Sequence, residues 1–234
     1  MNRGPLLFLG VFFALAGSWY GMVLKPQMQI GGLQQTNTVA TAETYPAARP
    51  GLAWQGLEVY RANGCVYCHS QQVRPLGTDL ERWGKRRTVA TDYLFDYPVL
   101  LGSQRIGPDL ANVGVRARSE DWHLLHLYDP RSVVPNSMMP PYRYLFTARK
   151  MIGQPSPMAL KLTGKSAPQP GWEMVPKPEA KALIAYLLSL HSEAALFETP
   201  MPGPPTNAPA ASTNAPASAS TNTSSQPQTH SAVK

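Results

Sequence analysis

The longest uncharged stretch of this chain lies near its amino terminus and limits what the rest can form. No charged residue occurs between Gly4 and Leu24, a stretch of 21 residues. At about 1.5 Å per residue, a helix of that length reaches roughly 31 Å, which matches a bilayer core. Residues 1–27 are therefore predicted to form a membrane anchor. The alternative is a secretory signal peptide, because the small residues Ala14 and Ala16 are typical of a cleavage site.

The carboxyl-terminal end is too polar to contribute to a hydrophobic core. Seven of the chain's 24 prolines lie between residues 199 and 234, where there is no aromatic residue and one charge. Such a tract buries too little apolar surface to offset the entropy of ordering. Residues 196–234 are predicted to be a disordered tail. Residues 28–50 lack helical or strand periodicity and are predicted to be a linker, which leaves residues 51–195 as one compact domain.

Three segments of the domain carry helix signals. The strongest is Lys177–Ser192, where apolar residues recur at helical spacing and Pro178 stands in the first turn. Gly51–Asn63 is a shorter candidate, and Ser119 can cap a third helix that Pro130 ends. No strand pattern of comparable length is present, so the domain is predicted to be mainly α with long Pro-rich loops.

The charge distribution argues against a nucleic-acid partner. The formal net charge is +7, but acidic and basic residues are interleaved along the chain. A basic triplet, residues 85–87, lies close to Asp79 and Glu81 and is predicted to be a solvated loop. The modest basic excess suits a membrane surface or an acidic partner and does not decide between them.

Both cysteines of the chain stand in the sequence Cys65-Val-Tyr-Cys68-His69. CxxCH is the signature of haem c attachment, in which the thiols bind the haem vinyl groups and the histidine binds the iron. A zinc site would need further ligands, and the sequence has no third cysteine. A thioredoxin-type motif would need a βαβ setting, and no such pattern precedes this motif. One covalently bound haem c is therefore the predicted cofactor, attached at Cys65 and Cys68 with His69 as an iron ligand.

A haem that transfers electrons needs a second axial ligand, and a thioether raises the reduction potential relative to a second imidazole. Met139 is the preferred candidate, because Pro140 follows it directly and restricts its backbone. One alternative is the neighbouring Met138. The others are two histidines of the predicted third helix, His123 and His126, and three later methionines, Met151, Met158 and Met174.

Beyond these motifs, the chain resembles a known family over most of residues 54–190. The blocks that carry the likeness are GCVYCHSQQVRPL (64–76), ERWG (81–84), DYPVLLGSQRIGPDLANVG (96–114), WHLLHLYDPRSVVP (122–135) and SMMPPY (137–142). In this order they are similar to the mono-haem cytochrome c subunit of cbb3-type cytochrome c oxidase. The resemblance implies a single N-terminal transmembrane helix followed by a cytochrome c-like haem domain.

The resemblance also implies roles for single residues. His69 and Met139 would be the axial ligands of the haem iron, and the Pro108 carbonyl would orient the His69 ring. Arg105 and Trp83 are candidates for contact with the haem propionates, with surface or packing roles as the alternatives.

The function implied by the resemblance is electron transfer in a respiratory complex of the bacterial inner membrane, with the haem domain in the periplasm. The chain would take an electron from a cytochrome c donor and pass it to a haem-copper subunit that reduces oxygen, beside a further cytochrome c subunit. The chain alone would not be a complete enzyme, because the sequence offers no copper ligands and no multi-helix membrane core. The alternatives are the cytochrome c subunit of a nitric oxide reductase and a tethered shuttle cytochrome without a permanent complex.

Overall fold

Helices make up most of the regular structure in the computed structural model, which describes residues 3–116 and 119–199. The helices are α1 (Gly4–Trp19), α2 (Lys25–Ile30), α3 (Gly51–Ala62), α4 (Gly77–Arg82), α5 (Glu120–Tyr128), α6 (Pro130–Val133) and α7 (Pro178–Ser189). Antiparallel hairpins are formed by β1 (Thr36–Asn37) with β2 (Thr44–Tyr45) and by β3 (Phe146–Lys150) with β4 (Trp172–Pro176). The prediction of a mostly helical chain is confirmed.

The uncharged amino-terminal stretch is helical, as predicted. α1 continues through a wide π turn, Tyr20–Leu24, into α2, so that one helix of 27 residues extends from Gly4 to Ile30. The wide turn ends two residues before Pro26, which has no N–H to donate and whose ring crowds the carbonyl four residues earlier. By length and composition, this helix is long and apolar enough to cross a membrane.

The core of the domain is built where α3 packs against α7. Tyr60 of α3 and Tyr186 of α7 are both buried there, with ring centroids 5.3 Å apart. The two helices approach closely because Gly56 has no side chain: a Cβ at this position would lie 1.9 Å from the Ala182 carbonyl oxygen. The contact therefore brings α7 against the helix that precedes the CxxCH motif.

Helix α7 ends at Ser189, three residues earlier than its sequence pattern predicts. Tertiary hydrogen bonds replace the helical ones at this end. The Gly114 N–H donates to the Leu190 carbonyl at 3.1 Å, and the Ser192 N–H donates to Asn112 Oδ1 at 2.6 Å. The chain leaves the helix because the loop of residues 112–114 satisfies these backbone groups.

Helix α5 begins and ends as its signals predict. The Ser119 Oγ accepts a hydrogen bond from the Trp122 N–H at 3.2 Å, which caps the first turn. The helix ends at Tyr128, and Pro130 opens the short helix α6 because proline is tolerated in a first turn.

The hairpin of β3 and β4 occupies a region that was predicted to be loop. Its five-residue strands pair from Phe146 opposite Pro176 to Lys150 opposite Trp172. Phe146 is buried, but the next four residues of β3 are exposed. Without alternation between buried and exposed residues, β3 carries no strand signal in its sequence.

The predicted linker, residues 28–50, is packed against the domain. It contains part of α2 and the hairpin of β1 and β2, and the Val39 N–H donates to the Ala195 carbonyl at 2.9 Å. Tyr45 packs with Val89 and Leu196 in a second, smaller core cluster. Such short pieces are held by distant residues, so they leave no period in the sequence.

The predicted start of the tail, residue 196, falls inside this second cluster. Leu196 is 1% exposed, and Thr199 is also buried. The remainder of the predicted tail, residues 200–234, lies outside the described residues.

The prediction of a solvated basic loop at residues 85–87 is wrong for Arg86. Arg86 and Asp92 have side chains only 1% and 2% exposed, and they form an ion pair at 2.7 Å. Arg86 Nε also donates to the Ala194 carbonyl at 2.6 Å, and the Tyr45 hydroxyl donates to Asp92 at 2.8 Å. Burial, together with the Asp92 charge, raises the pKa of Tyr45, so the hydroxyl keeps its proton. This clamp joins three segments that are distant in sequence.

Candidate cofactor site

A cavity of about 460 Å³ lies next to the contact between α3 and α7. Its volume is within the range of roughly 300–1,000 Å³ that is common for small-molecule sites. Much of its wall is apolar and includes Leu110, Val113, Leu183 and Leu187. The structure brings all five predicted site residues to this cavity: Cys65, Cys68, His69, Pro108 and Met139.

The two cysteines reach the cavity through a sharp turn after α3. Gly64 takes the left-handed conformation with φ of 66°, which glycine adopts without steric cost, and a 3₁₀ turn over Cys65–Tyr67 follows. The Cys65 carbonyl accepts from the N–H groups of Cys68 at 3.1 Å and His69 at 3.0 Å. This turn places both thiols and the imidazole on the same cavity.

The cysteines are not joined in a disulfide, although they are only three residues apart. Burial raises the pKa of the Cys65 thiol to about 11, so it is protonated at pH 7. Two reduced thiols beside an apolar cavity are the groups that thioether attachment requires.

The His69 ring is held by the loop of residues 107–111. Its Nδ1 lies 2.8 Å from the Pro108 carbonyl oxygen. A carbonyl can only accept, so Nδ1 carries the proton and Nε2 keeps the lone pair that binds metals. Burial lowers the pKa of His69, against the opposing effects of the Pro108 carbonyl and the Asp109 charge. The neutral imidazole therefore has a nitrogen suited to an iron ligand.

Gly107 lets the loop approach the imidazole. A Cβ at Gly107 would lie 2.3 Å from Cε1 of His69, far inside van der Waals contact. The Gly-Pro pair is thus used twice: the glycine makes room for the ring, and the proline carbonyl holds it.

The two neighbouring methionines both line the cavity but differ in environment. Met138 is 75% exposed, whereas Met139 is partly buried and packs against the core. The Met139 N–H donates to Ser137 Oγ at 3.2 Å, and the Tyr142 N–H ties the same loop to the Leu127 carbonyl at 2.8 Å. Of the later methionines considered above, none is among the residues that line the described cavity.

The two histidines of α5 also line the cavity. His123 is buried, and the His126 ring stacks on Trp122 with centroids 4.7 Å apart. Both stay close enough to the site to remain alternatives to a methionine ligand.

The two residues considered for propionate contact have different positions. Trp83 lines the cavity, but Arg105 is bound to two buried carboxylates, Asp79 at 2.8 Å and Asp109 at 3.1 Å. The sequence interpretation missed Arg116, which lines the cavity and lies 5.1 Å from the Trp83 ring centroid. Nothing in the local sequence distinguishes it from other arginines.

The side chains that could bind a metal at this cavity differ from those of a bare metal-ion site. Within the described residues, no group of three or more His, Cys, Asp or Glu side chains is placed to hold a bare metal ion. Two thiols, one imidazole and a thioether instead suit a cofactor that brings most of its own metal ligands. The cavity is thus a candidate site for a metal-bearing macrocycle.

Comparison with known families identifies the chain more closely. Residues 5–163 match the family described as cytochrome c oxidase, mono-heme subunit/FixO. This match covers more than half of the chain, and the chain belongs to that family. Membership confirms the predicted family, implies one haem and makes other oxidase subunits its partners. A search of curated proteins gives no match.

Proposed function

We propose that the chain is the membrane-anchored, mono-haem c electron-transfer subunit of a cbb3-type haem-copper oxidase. It relays electrons from a cytochrome c donor to the catalytic subunit that reduces oxygen, beside a further cytochrome c subunit. The observation that carries this proposal is that Cys65, Cys68, His69 and Met139 all line the same cavity.

In this proposal Cys65 and Cys68 hold the haem through thioether bonds, and His69 Nε2 and Met139 Sδ bind its iron. The bound haem supplies an iron that changes between the ferric and ferrous states by one electron. The protein keeps the His69 proton on Nδ1 and lines much of the site with apolar side chains. A thioether ligand and a largely apolar pocket wall both favour the ferrous state, which suits a relay toward oxygen.

The proposed organisation places the anchor at residues 1–27 and a cytochrome c domain after it, with residues 28–50 and 196–199 packed against residues 51–195. The amino terminus lies in the cytoplasm and the haem domain in the periplasm of a bacterial inner membrane, where haem c is attached. The helix from Gly4 to Ile30 supports the anchor. Intact mass of the purified chain tests it, because loss of the first 16 residues would favour the signal-peptide alternative.

Covalent attachment is tested with the double variant Cys65→Ala/Cys68→Ala. Wild-type chain should stain for haem after denaturing electrophoresis, and the double variant should not, since no other cysteine is present. Equal staining of the two chains would contradict thioether attachment.

Co-purification from detergent-solubilised membranes tests the partner. A complex that reduces oxygen with this chain as a stoichiometric subunit is the expected result. A complex that reduces nitric oxide would instead support the reductase subunit, and a chain that purifies alone would support the tethered shuttle.

A further inference from the structure

A buried carboxylate, Asp109, directly follows Pro108, whose carbonyl contacts His69. It is 0% exposed. Its Oδ2 accepts from Ser70 Oγ at 2.6 Å and from the Gln72 N–H at 2.9 Å, and its Oδ1 accepts from the Ala111 N–H at 2.8 Å. One side chain thus ties the residues that follow His69 to the loop that follows Pro108.

Backbone hydrogen bonds join the same two segments on both sides of His69. The Gly107 N–H donates to the Cys68 carbonyl at 2.9 Å, and the Leu110 N–H donates to the Ser70 carbonyl at 2.8 Å. The bond from His69 Nδ1 to the Pro108 carbonyl lies between these two. The distance between ring and carbonyl therefore depends on how firmly residues 68–72 and 107–111 are joined.

Asp109 is itself fixed by a compensated charge cluster. Arg105 donates to Asp109 at 3.1 Å, to Asp79 at 2.8 Å and, through Nε, to Ser70 Oγ at 2.6 Å. Arg74 pairs with the other side of Asp79 at 3.0 Å. Two arginines balance two buried carboxylates, which lets Asp109 remain inside the protein while accepting several hydrogen bonds.

We infer that Asp109 is a positioning residue for the axial histidine and tunes the reduction potential of the haem. The inference rests on the function proposed above. By holding the Pro108 carbonyl at His69 Nδ1, Asp109 increases the basicity of the imidazole, and the negative charge of Asp109 also acts on the His69 ring. Both effects stabilise ferric iron, so loss of Asp109 should make the midpoint potential more positive.

The test compares Asp109→Asn with Asp79→Asn in the full-length chain, purified in detergent with its haem. Both variants remove one buried charge from the Arg105 cluster. Within the described residues, however, the Asp79 carboxylate accepts from Arg74 and Arg105 and not from residues 68–72 or 107–111. Redox titration of the haem should show a positive shift for Asp109→Asn that clearly exceeds the shift for Asp79→Asn. Thermal unfolding of both variants is measured in parallel. If the two variants lose similar stability but differ in midpoint potential, the loss of stability does not explain the shift in potential.

Equal shifts for the two variants, or an unchanged potential in Asp109→Asn, would overturn the inference. Where Asp109→Asn does not accumulate with haem, Ser70→Ala decides the question, because it removes the Ser70 bonds to Asp109 and Arg105 but keeps the Asp109 carboxylate. A smaller positive shift supports positioning, and no shift overturns it. Failure of the proposed function looks different: the wild-type chain would then lack covalently bound haem.

Discussion

Met138 and Met139 show how two identical side chains acquire different chemistry from their neighbours. Pro140 restricts the backbone of Met139, whose sulfur-bearing side chain packs against the core, while Met138 is largely exposed. An axial ligand must be held in one place, and a partly buried side chain on a restricted backbone meets that requirement better. The environment therefore favours Met139 as the ligand proposed above.

Substitution separates the two methionines. Met139→His should lower the midpoint potential and remove the sulfur-to-iron charge-transfer band at the red edge of the ferric spectrum, because imidazole favours ferric iron more than a thioether does. Met138→Leu, the matched control, should leave both nearly unchanged. If the band is lost only in Met138→Leu, the ligand is Met138. If neither substitution removes it, His123 or His126 is the better candidate.

Gly107 provides a second prediction at the scale of single residues. Gly107→Ala should reduce haem incorporation severalfold, since the new Cβ would lie 2.3 Å from the His69 ring and would displace it from the Pro108 carbonyl. Gly77→Ala is the control, because no atom lies within 4 Å of the added Cβ there. Haem absorbance per purified chain is the measurement. Equal haem content in both variants would mean that the ring can move without loss of the site.

At the scale of secondary structure, the packing of α3 on α7 determines where the CxxCH turn begins. α3 ends at Ala62, three residues before Cys65, and α7 supplies Leu183 and Leu187 to the cavity wall. A displacement of one helix against the other would move the thiols relative to that wall. The close approach at Gly56 is therefore a structural requirement of the site, although Gly56 itself does not line the cavity.

Gly56→Ala should destabilise the domain by about 1–3 kcal/mol, the usual cost of overpacking a core, because backbone atoms of Ala182 leave no room for a methyl group. Gly51→Ala on the same helix is the control, since its added Cβ meets nothing within 4 Å. Denaturant titration of the purified chain, followed by haem absorbance, compares the two. An unfolding free energy for Gly56→Ala equal to that of the control would show that α3 and α7 can separate at little cost.

At the scale of the whole molecule, contacts join segments from the beginning and the end of the described chain. The Arg86 clamp connects Tyr45, Asp92 and Ala194, and Leu196 packs on Tyr45 and Val89. These contacts hold residues on both sides of the predicted 51–195 domain against it. The folded unit therefore includes the hairpin of β1 and β2 and extends to Thr199.

Leu196→Ala tests this extension. Removal of a fully buried leucine should cost about 2–5 kcal/mol of unfolding free energy, because it leaves a cavity in the second cluster. Phe197→Ala is the matched control: Phe197 is 80% exposed, and its loss should change stability by less than about 0.5 kcal/mol. Denaturant titration measures both. Similar small effects would place residue 196 outside the cooperative fold.

The features that the sequence alone predicted depend on a few neighbouring residues. The CxxCH motif, the Gly-Pro pair at 107–108, the uncharged stretch from Gly4 to Leu24 and the apolar stripe of α7 are each complete within one segment. Helical periodicity, capping and motif spacing are local properties, so they can be read without knowing how segments pack. The family resemblance rests on several such blocks in order, and the family match over residues 5–163 confirms it.

Tertiary structure alone decided which distant residues meet. Arg86 looked like one charge of a basic triplet and is instead buried against Asp92, the Ala194 carbonyl and the Tyr45 hydroxyl. Leu196 belonged by composition to a tail, yet it fills a core cluster with residues far earlier in the chain. Burial of a charge or a leucine depends on partners brought together by the packing of the whole chain. One sequence contains the partners but not their distances, because those follow from how all segments fill space together.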